Sequence, residues 1–317
     1  MNQPDAPTPT TIQAAVPGVT IKRIAYQGWP ECFLLSNGLV EAVVVPAIGR
    51  VMRFGLIGEP ESAFWQNREL DGQLPAAEDS QWMNFGGDKS WPAPQSEWQQ
   101  RTGRDWPPPR SFDAGPAQAA AVPLGVKLTS PIDSAYGIQI LRTVTLDPTL
   151  PVMRIATEFR KLQGPPVTVA IWTITQLRDP EAILMLASDG FPHGYLPLLE
   201  AEPTALQRRG CLLSFKRNPS VFTKIGSQAA SMAWIGKSSV LRIDAEIGPG
   251  VYPDGGCVTQ VYTNPNPQKY VELETLGPLQ NIRPGDTMHR TTAYTILPRR
   301  LPDLNFASEM PSLRSDA

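Results

Sequence analysis

Near its C-terminal end the chain reads Tyr270-Val271-Glu272-Leu273-Glu274-Thr275. At the two-residue period of a strand, Tyr270, Glu272 and Glu274 share one face, and Val271, Leu273 and Thr275 the other. Two carboxylates beside a phenol have two readings. On periodicity alone the plainer one is a solvated strand face. The other is a general base or ligand acceptor at a strand end, where burial would raise a carboxylate pKa toward the range useful at neutral pH.

A second stretch offers complementary chemistry. Residues 82–113, WMNFGGDKSWPAPQSEWQQRTGRDWPPPRSFD, hold Trp82, Trp91, Trp98 and Trp106, four of the eight tryptophans. Gly86 and Gly87 stand directly before Asp88 and Lys89. Prolines at 92, 94, 107, 108 and 109 argue against helix or central strand, so the stretch reads as a long loop. Loops of that length are often functional. Its tryptophans either plug the end of a sheet or form the wall of a ligand site. Indole faces stack on the apolar C–H side of a saturated ring, and indole N–H groups bond hydroxyls. Asn84, Asp88, Lys89, Gln95 and Arg50 could supply directed bonds to hydroxyls. Arg50 and Arg142 could pair with site carboxylates, although surface charge or a structural ion pair is the plainer reading of each.

Other chemistries find little support. His193, in Phe191-Pro192-His193-Gly194-Tyr195, and His289 are the only histidines, too far apart for a histidine metal site. No nucleophile elbow, Walker loop or dinucleotide fingerprint is present, so neither metal nor cofactor is expected. The three cysteines, Cys32, Cys211 and Cys257, are odd in number and widely spaced, which argues against a disulfide framework. A net charge of −2 without a basic run lacks the footprint of a nucleic-acid binder. No run is long enough to span a bilayer, and the N-terminus has no signal-like apolar region. The expectation is a cytoplasmic protein with a small-molecule partner, and neither nucleic acid nor membrane as partner.

The elements that must position these residues read as strands. Cys32 to Ser36 and Leu39 to Val45 flank Asn37-Gly38, the strongest short hairpin signal. From Val152 to Lys161, Met153, Ile155, Thr157 and Phe159 alternate with Arg154, Ala156, Glu158 and Arg160, the mark of a half-buried strand. VTVAIWTITQ, 167–176, is more uniformly apolar, as a central strand is. Further strands are read at 138–146, 211–216, 231–235, 240–247, 258–263, 269–275 and 289–296, and a short helical turn at 200–209. No long amphipathic helix is visible. The expectation is an all-β protein, a large antiparallel β-sandwich. It would occupy residues 19–300 as one domain, after a disordered Pro/Thr/Ala-rich segment at 1–18 and before a polar tail at 301–317.

Several strings together carry a resemblance. They are Ile48-Gly49-Arg50, the run from Asn84 to Gln95 (NFGGDKSWPAPQ), Trp106-Pro107-Pro108, Ala170 to Gln176 (AIWTITQ), Val271-Glu272-Leu273-Glu274 and Arg283-Pro284-Gly285-Asp286. Over residues 20–298 the chain resembles an uncharacterised family of the galactose mutarotase-like superfamily, distantly similar to aldose 1-epimerases. The resemblance implies a β-supersandwich with a sugar-binding concave face. It also implies a carbohydrate partner, with Trp91, Trp98, Trp172, Gln176, Glu272, Arg50, Asn84, Asp88, Gln95 and Arg142 as candidates for binding it. Aldose 1-epimerases take their base from a Leu-Glu-Thr type string, which Leu273-Glu274-Thr275 matches, so Glu274 is the implied base. They take their acid from histidines in an Asn-His type string and on a central strand. Here the central strand reads Trp172-Thr173-Ile174-Thr175-Gln176 and the loop Gly86-Gly87-Asp88-Lys89, leaving Lys89 or His193 as the acid. The implied functions are an epimerase-like isomerase, a non-catalytic carbohydrate-binding protein and, with less support, a glycan lyase or hydrolase.

Overall fold

The computed structural model describes residues 18–75 and 82–300. The N-terminal segment to residue 17 and the tail from 301 lie outside the described residues. Two large antiparallel sheets stack face to face. The first runs from Thr20–Tyr26 through Trp29–Ser36, Val40–Val45 and Arg50–Leu56 to Asp88–Ala93. It continues through Val167–Arg178, Tyr270–Leu276, Thr259–Thr263 and Thr223–Ser227 to Leu196–Pro197, with Gln280–Ile282 beside one end of Val167–Arg178. The second runs Thr204–Arg209, Leu212–Lys216, Ala182–Leu186, Ser231–Ile235, Ser239–Ala245, Thr287–Pro298, Val152–Lys161, Ile138–Leu146, Gly125–Ile132, Gln118–Val122.

The period-2 patterns account for the stacking. Met153 and Ile155 of the second sheet bury with Leu128, Leu241 and Tyr294 against Val44, Phe54, Val271 and Leu273 of the first, forming one core between the sheets. Arg154, on the alternate face of its strand, is exposed. The Asn-Gly signal also appears as a hairpin: Ser36 pairs with Glu41 around the turn. Asn37 Oδ1 accepts from the Leu39 and Val40 N–H groups at 2.9 Å each, and Gly38 takes φ +87°.

Two expectations need correction. Residues 204–209 form a strand, not a helical turn, pairing with Leu212–Lys216 across Gly210. And the proline-rich loop contains a strand, Asp88–Ala93, inside the first sheet. It tolerates Pro92 because its other neighbour, Arg50–Leu56, pairs with it only at Val51 opposite Asp88. Beyond that point no ladder partner on that side needs the missing N–H. The rest of the loop forms a turn and two short helices, Trp98–Thr102 and Arg110–Asp113.

Five strands of the first sheet carry the side chains that meet around Glu274: β1 (Asp88–Ala93), β2 (Val167–Arg178), β3 (Thr223–Ser227), β4 (Thr259–Thr263) and β5 (Tyr270–Leu276). Across the sheet they lie in the order β1, β2, β5, β4, β3.

Candidate functional site

Register determines which side chains meet. Lys89, Ile174, Glu274 and Gln260 form one cross-strand row over β1, β2, β5 and β4. The adjacent row holds Gln176, Glu272, Tyr262 and Lys224, and the row on the other side Trp91, Trp172 and Leu276. Directly opposed residues point to the same face, so all of these project from the face away from the second sheet. The residues between them, Asp88, Thr175, Leu273 and Thr275, project into the sandwich.

Glu274 lies at the centre and is fully buried. Its Oε2 accepts the Trp172 indole N–H at 2.7 Å and an Nζ–H of Lys224 at 2.9 Å. Its Oε1 has no donor among the described residues. Burial pushes the carboxyl up to about 7; the Lys224 ammonium opposes that shift and Glu272 adds to it. Glu272 accepts from Gln176 Nε2 at 2.9 Å, and the Lys89 ammonium lies 3.5 Å from its Oε1.

Lys89 is only 1% exposed, and its Nζ makes no hydrogen bond among the described residues. Burial lowers its pKa, with Glu272 acting against the shift. The ammonium sits 4.8 Å from the Trp91 ring centre, and Lys224 sits 4.7 Å from that of Trp172. The two indoles meet edge to face at 5.3 Å. An aromatic floor thus carries one cation on each side, with the Glu272–Glu274 pair between.

Further polar atoms lack partners here. The Gln176 Oε1, the Gln260 Oε1 and both ends of the Asn84 amide are buried with no hydrogen bond among the described residues. Asn84 and Gln176 flank the Tyr270 hydroxyl, which burial and Glu272 shift upward. Buried polar groups are normally satisfied. Donors and acceptors left open beside Glu274, Glu272 and Tyr270 suit a ligand bearing hydroxyls, each of which both donates and accepts.

The remaining candidates lie elsewhere. Asp88 and Arg142 form an ion pair between the sheets, on the opposite side of β1, where Asp88 Oδ2 also accepts from Thr175 and Tyr294, each at 2.6 Å. Arg50 is fully buried, donating to Asp113 Oδ1 at 2.8 Å and to the Gly86 carbonyl at 2.7 Å. Asp113 in turn accepts the Trp91 N–H at 2.9 Å. Arg50, Asp88 and Arg142 thus bond within the protein around β1 and Trp91 and are not gathered beside Glu274. Trp98 is fully buried with its N–H on the Pro92 carbonyl at 2.8 Å, and Gln95 is exposed on a short turn. His193 is exposed beyond the far edge of the sheet, its ring 6.1 Å from that of Tyr195, and has no contact with Glu274. The tryptophans of residues 82–113 mostly pack on one another, and Trp106, 43% exposed, is the one most open to solvent.

Lys224, Gln260 and Tyr262 join the site without having been expected from the sequence. Gln260 and Tyr262 lie within the strand expected at 258–263, and their facing follows once β4 is placed beside β5. Lys224 lies on β3, Thr-Lys-Ile-Gly-Ser, too short and glycine-interrupted to stand out. The empty interval between the strands at 211–216 and 231–235 is the available signal.

Gly86 and Gly87 explain how the loop enters β1. Both take positive φ, +90° and +73°. A Cβ on Gly87 would lie 2.5 Å from the Val51 carbonyl oxygen, so only glycine fits this close backbone approach.

No helix among the described residues is long and apolar enough to cross a membrane, and no group of three or more His, Cys, Asp or Glu side chains among them could hold a metal ion. No family model and no curated protein matches the chain. Solved structures do. A candidate aldose 1-epimerase from Klebsiella pneumoniae aligns with a TM-score of 0.57 at 12% identity, over 88% of this chain and 83% of that one. A galactose mutarotase-like protein from Lactobacillus casei gives 0.55 at 9% identity, over 84% of this chain and 100% of that one. A candidate aldose 1-epimerase from Escherichia coli K12 gives 0.54 at 10% identity, over 89% and 100%. At such identities the likeness is one of architecture: two stacked antiparallel sheets in the galactose mutarotase-like fold.

Proposed function

We propose that the outer face of β1, β2, β5, β4 and β3 binds a sugar, and that Glu274 acts there as the general base interconverting its anomers. The observation that carries this reading is the state of Glu274. It is fully buried, poised near neutral pH with a pKa of about 7, and keeps one oxygen open among other unsatisfied polar atoms. A base with a pKa near ambient pH combines a useful ionised fraction with real basicity.

In the forward step Glu274 Oε1 takes the proton of the anomeric hydroxyl while the Lys89 ammonium gives one to the ring oxygen. The bond from C1 to the ring oxygen breaks, leaving an open-chain aldehyde. Rotation about C1–C2 and reversal of both transfers close the ring with either configuration. Lys89 and Glu274 stand two strand spacings apart in one row, ~10 Å between backbones, a gap that a pyranose between their side chains would bridge. Burial, by lowering the Lys89 pKa, makes its ammonium a better acid.

A second reading, sugar binding without turnover, is favoured by one feature. The cationic proton donors at this face are ammonium groups, Lys89 and Lys224, and both histidines are exposed on other parts of the surface. The test is a panel of aldoses followed by exchange NMR for anomer interconversion and saturation transfer for binding. Exchange faster than buffer supports the isomerase. Binding without exchange selects the second reading, and neither signal overturns both.

A further inference from the structure

Among the described residues four arginines are buried: Arg50, Arg142, Arg217 and Arg290. Three meet a carboxylate, respectively Asp113, Asp88 and Asp179. Arg290 does not. It lies on the strand Thr287–Pro298 and, like Met288 and Thr292, turns inward, leaving it 4% exposed. Among the described residues it forms no ion pair, and its Nε and Nη2 find no hydrogen-bond acceptor. The polar groups acting on it are the Tyr252 hydroxyl and the Glu246 carboxylate. Glu246 is exposed and accepts the Thr291 N–H at 3.0 Å. A guanidinium stays protonated in proteins, so Arg290 is a fixed buried charge that no carboxylate among the described residues pairs directly, Glu246 acting on it only at longer range, an expensive arrangement unless something supplies a closer counter-charge.

Arg290 is one of the residues lining a cleft of about 480 Å³, within the ~300–1,000 Å³ typical of small-molecule sites. Its walls are the 246–249 segment, the Gly277-Pro278 turn with Gln280, and the 287–290 segment. His289 and Gln280 bring further polar side chains, and Ile171 an apolar surface. Glu274 and Lys89 take no part in it, so this is a second place on the molecule, separate from the sugar face.

We propose that this cleft binds a small ligand bearing an oxyanion, a carboxylate or a phosphate ester, with the Arg290 guanidinium as its anchor. The planar fork of donors matches either group in two-point contact. Glu246, carrying like charge at the exposed side, favours ligands whose remaining surface is hydroxylated or cationic over those with a second anion.

The test is thermal unfolding and calorimetric titration of the full chain with inorganic phosphate and, separately, acetate, at constant ionic strength. At least one anion should raise Tm in proportion to the logarithm of its concentration, as preferential binding to the folded state requires. Phosphate alone assigns a phosphate ester, acetate alone a carboxylate. Arg290→Met should weaken binding at least ~10-fold, the loss of a charge-assisted pair. Gly248→Phe, which keeps the arginine but fills the cleft from a position where a Cβ has open space, should do the same. If Arg290→Met does not fold, the Gly248 variant decides. No binding of either anion up to ~20 mM, or undiminished binding by a folded variant, overturns the proposal.

Discussion

Replacing Glu274 by glutamine should stabilise the protein above neutral pH while removing the proposed base. The sign follows from linkage. Burial raises the folded-state pKa from an ordinary 4.5 to about 7, so the folded chain holds this proton more tightly than the unfolded chain does. Between those two values the folded state binds more protons, and stability falls as pH rises. Above about 7 the full cost is present. The interval from 4.5 to about 7 corresponds to roughly 3 kcal/mol. Glutamine avoids that charge but gives Lys224 a weaker acceptor than the carboxylate it now meets at 2.9 Å. The net gain at pH 8 is therefore about 1–3 kcal/mol. In a chain of this size that is a Tm increase of ~2–6 °C, shrinking to nothing near pH 4. The assay is thermal unfolding of wild type and Glu274→Gln from pH 4 to 9. A variant no more stable than wild type at pH 8, with a pH-independent difference, would refute the claim that Glu274 is held charged against its desolvation.

Other expectations concern its neighbours. Lys89→Met should lower anomerisation by ~10²-fold or more, as loss of a positioned acid does; thermal unfolding at pH 7 should show a Tm at or above wild type, because burial already disfavours the charged amine. Trp172→Phe removes the 2.7 Å N–H donor that holds the Glu274 pKa down, so the rising limb of the pH–rate profile should move to higher pH while the fold is kept. Asp88→Ala strands the Arg142 charge between the sheets and should cost about 3–5 kcal/mol in a urea titration.

Much of the fold can be read directly because single strands carry their own pattern. The alternation at 152–161, the apolar run at 167–176 and the Asn37-Gly38 turn depend on neighbours in sequence, and each appears as an element of the expected kind. Residues 204–209 mislead because their period is weak and the strand is largely exposed. The site is legible only in part. Glu272 and Glu274 can be placed on one face, but whether that face is wet or buried depends on β2 and β4, distant in sequence. Asp88 and Lys89 look like equal partners in a loop. Because they sit in a strand, adjacent residues diverge: Lys89 joins Glu272, and Asp88 turns inward to Arg142. Residue type alone cannot make that distinction; it requires the register of β1 against β2.

The most direct test of Glu274 as the base is the pH dependence of aldose anomerisation, measured by exchange NMR with wild type and Glu274→Gln. The predicted wild-type rate, in excess of buffer, rises through a pKa near 7, and the variant rate is reduced by ~10²–10⁴-fold without that rise. A wild-type rate equal to buffer across the range, or the same profile from both proteins, would contradict it.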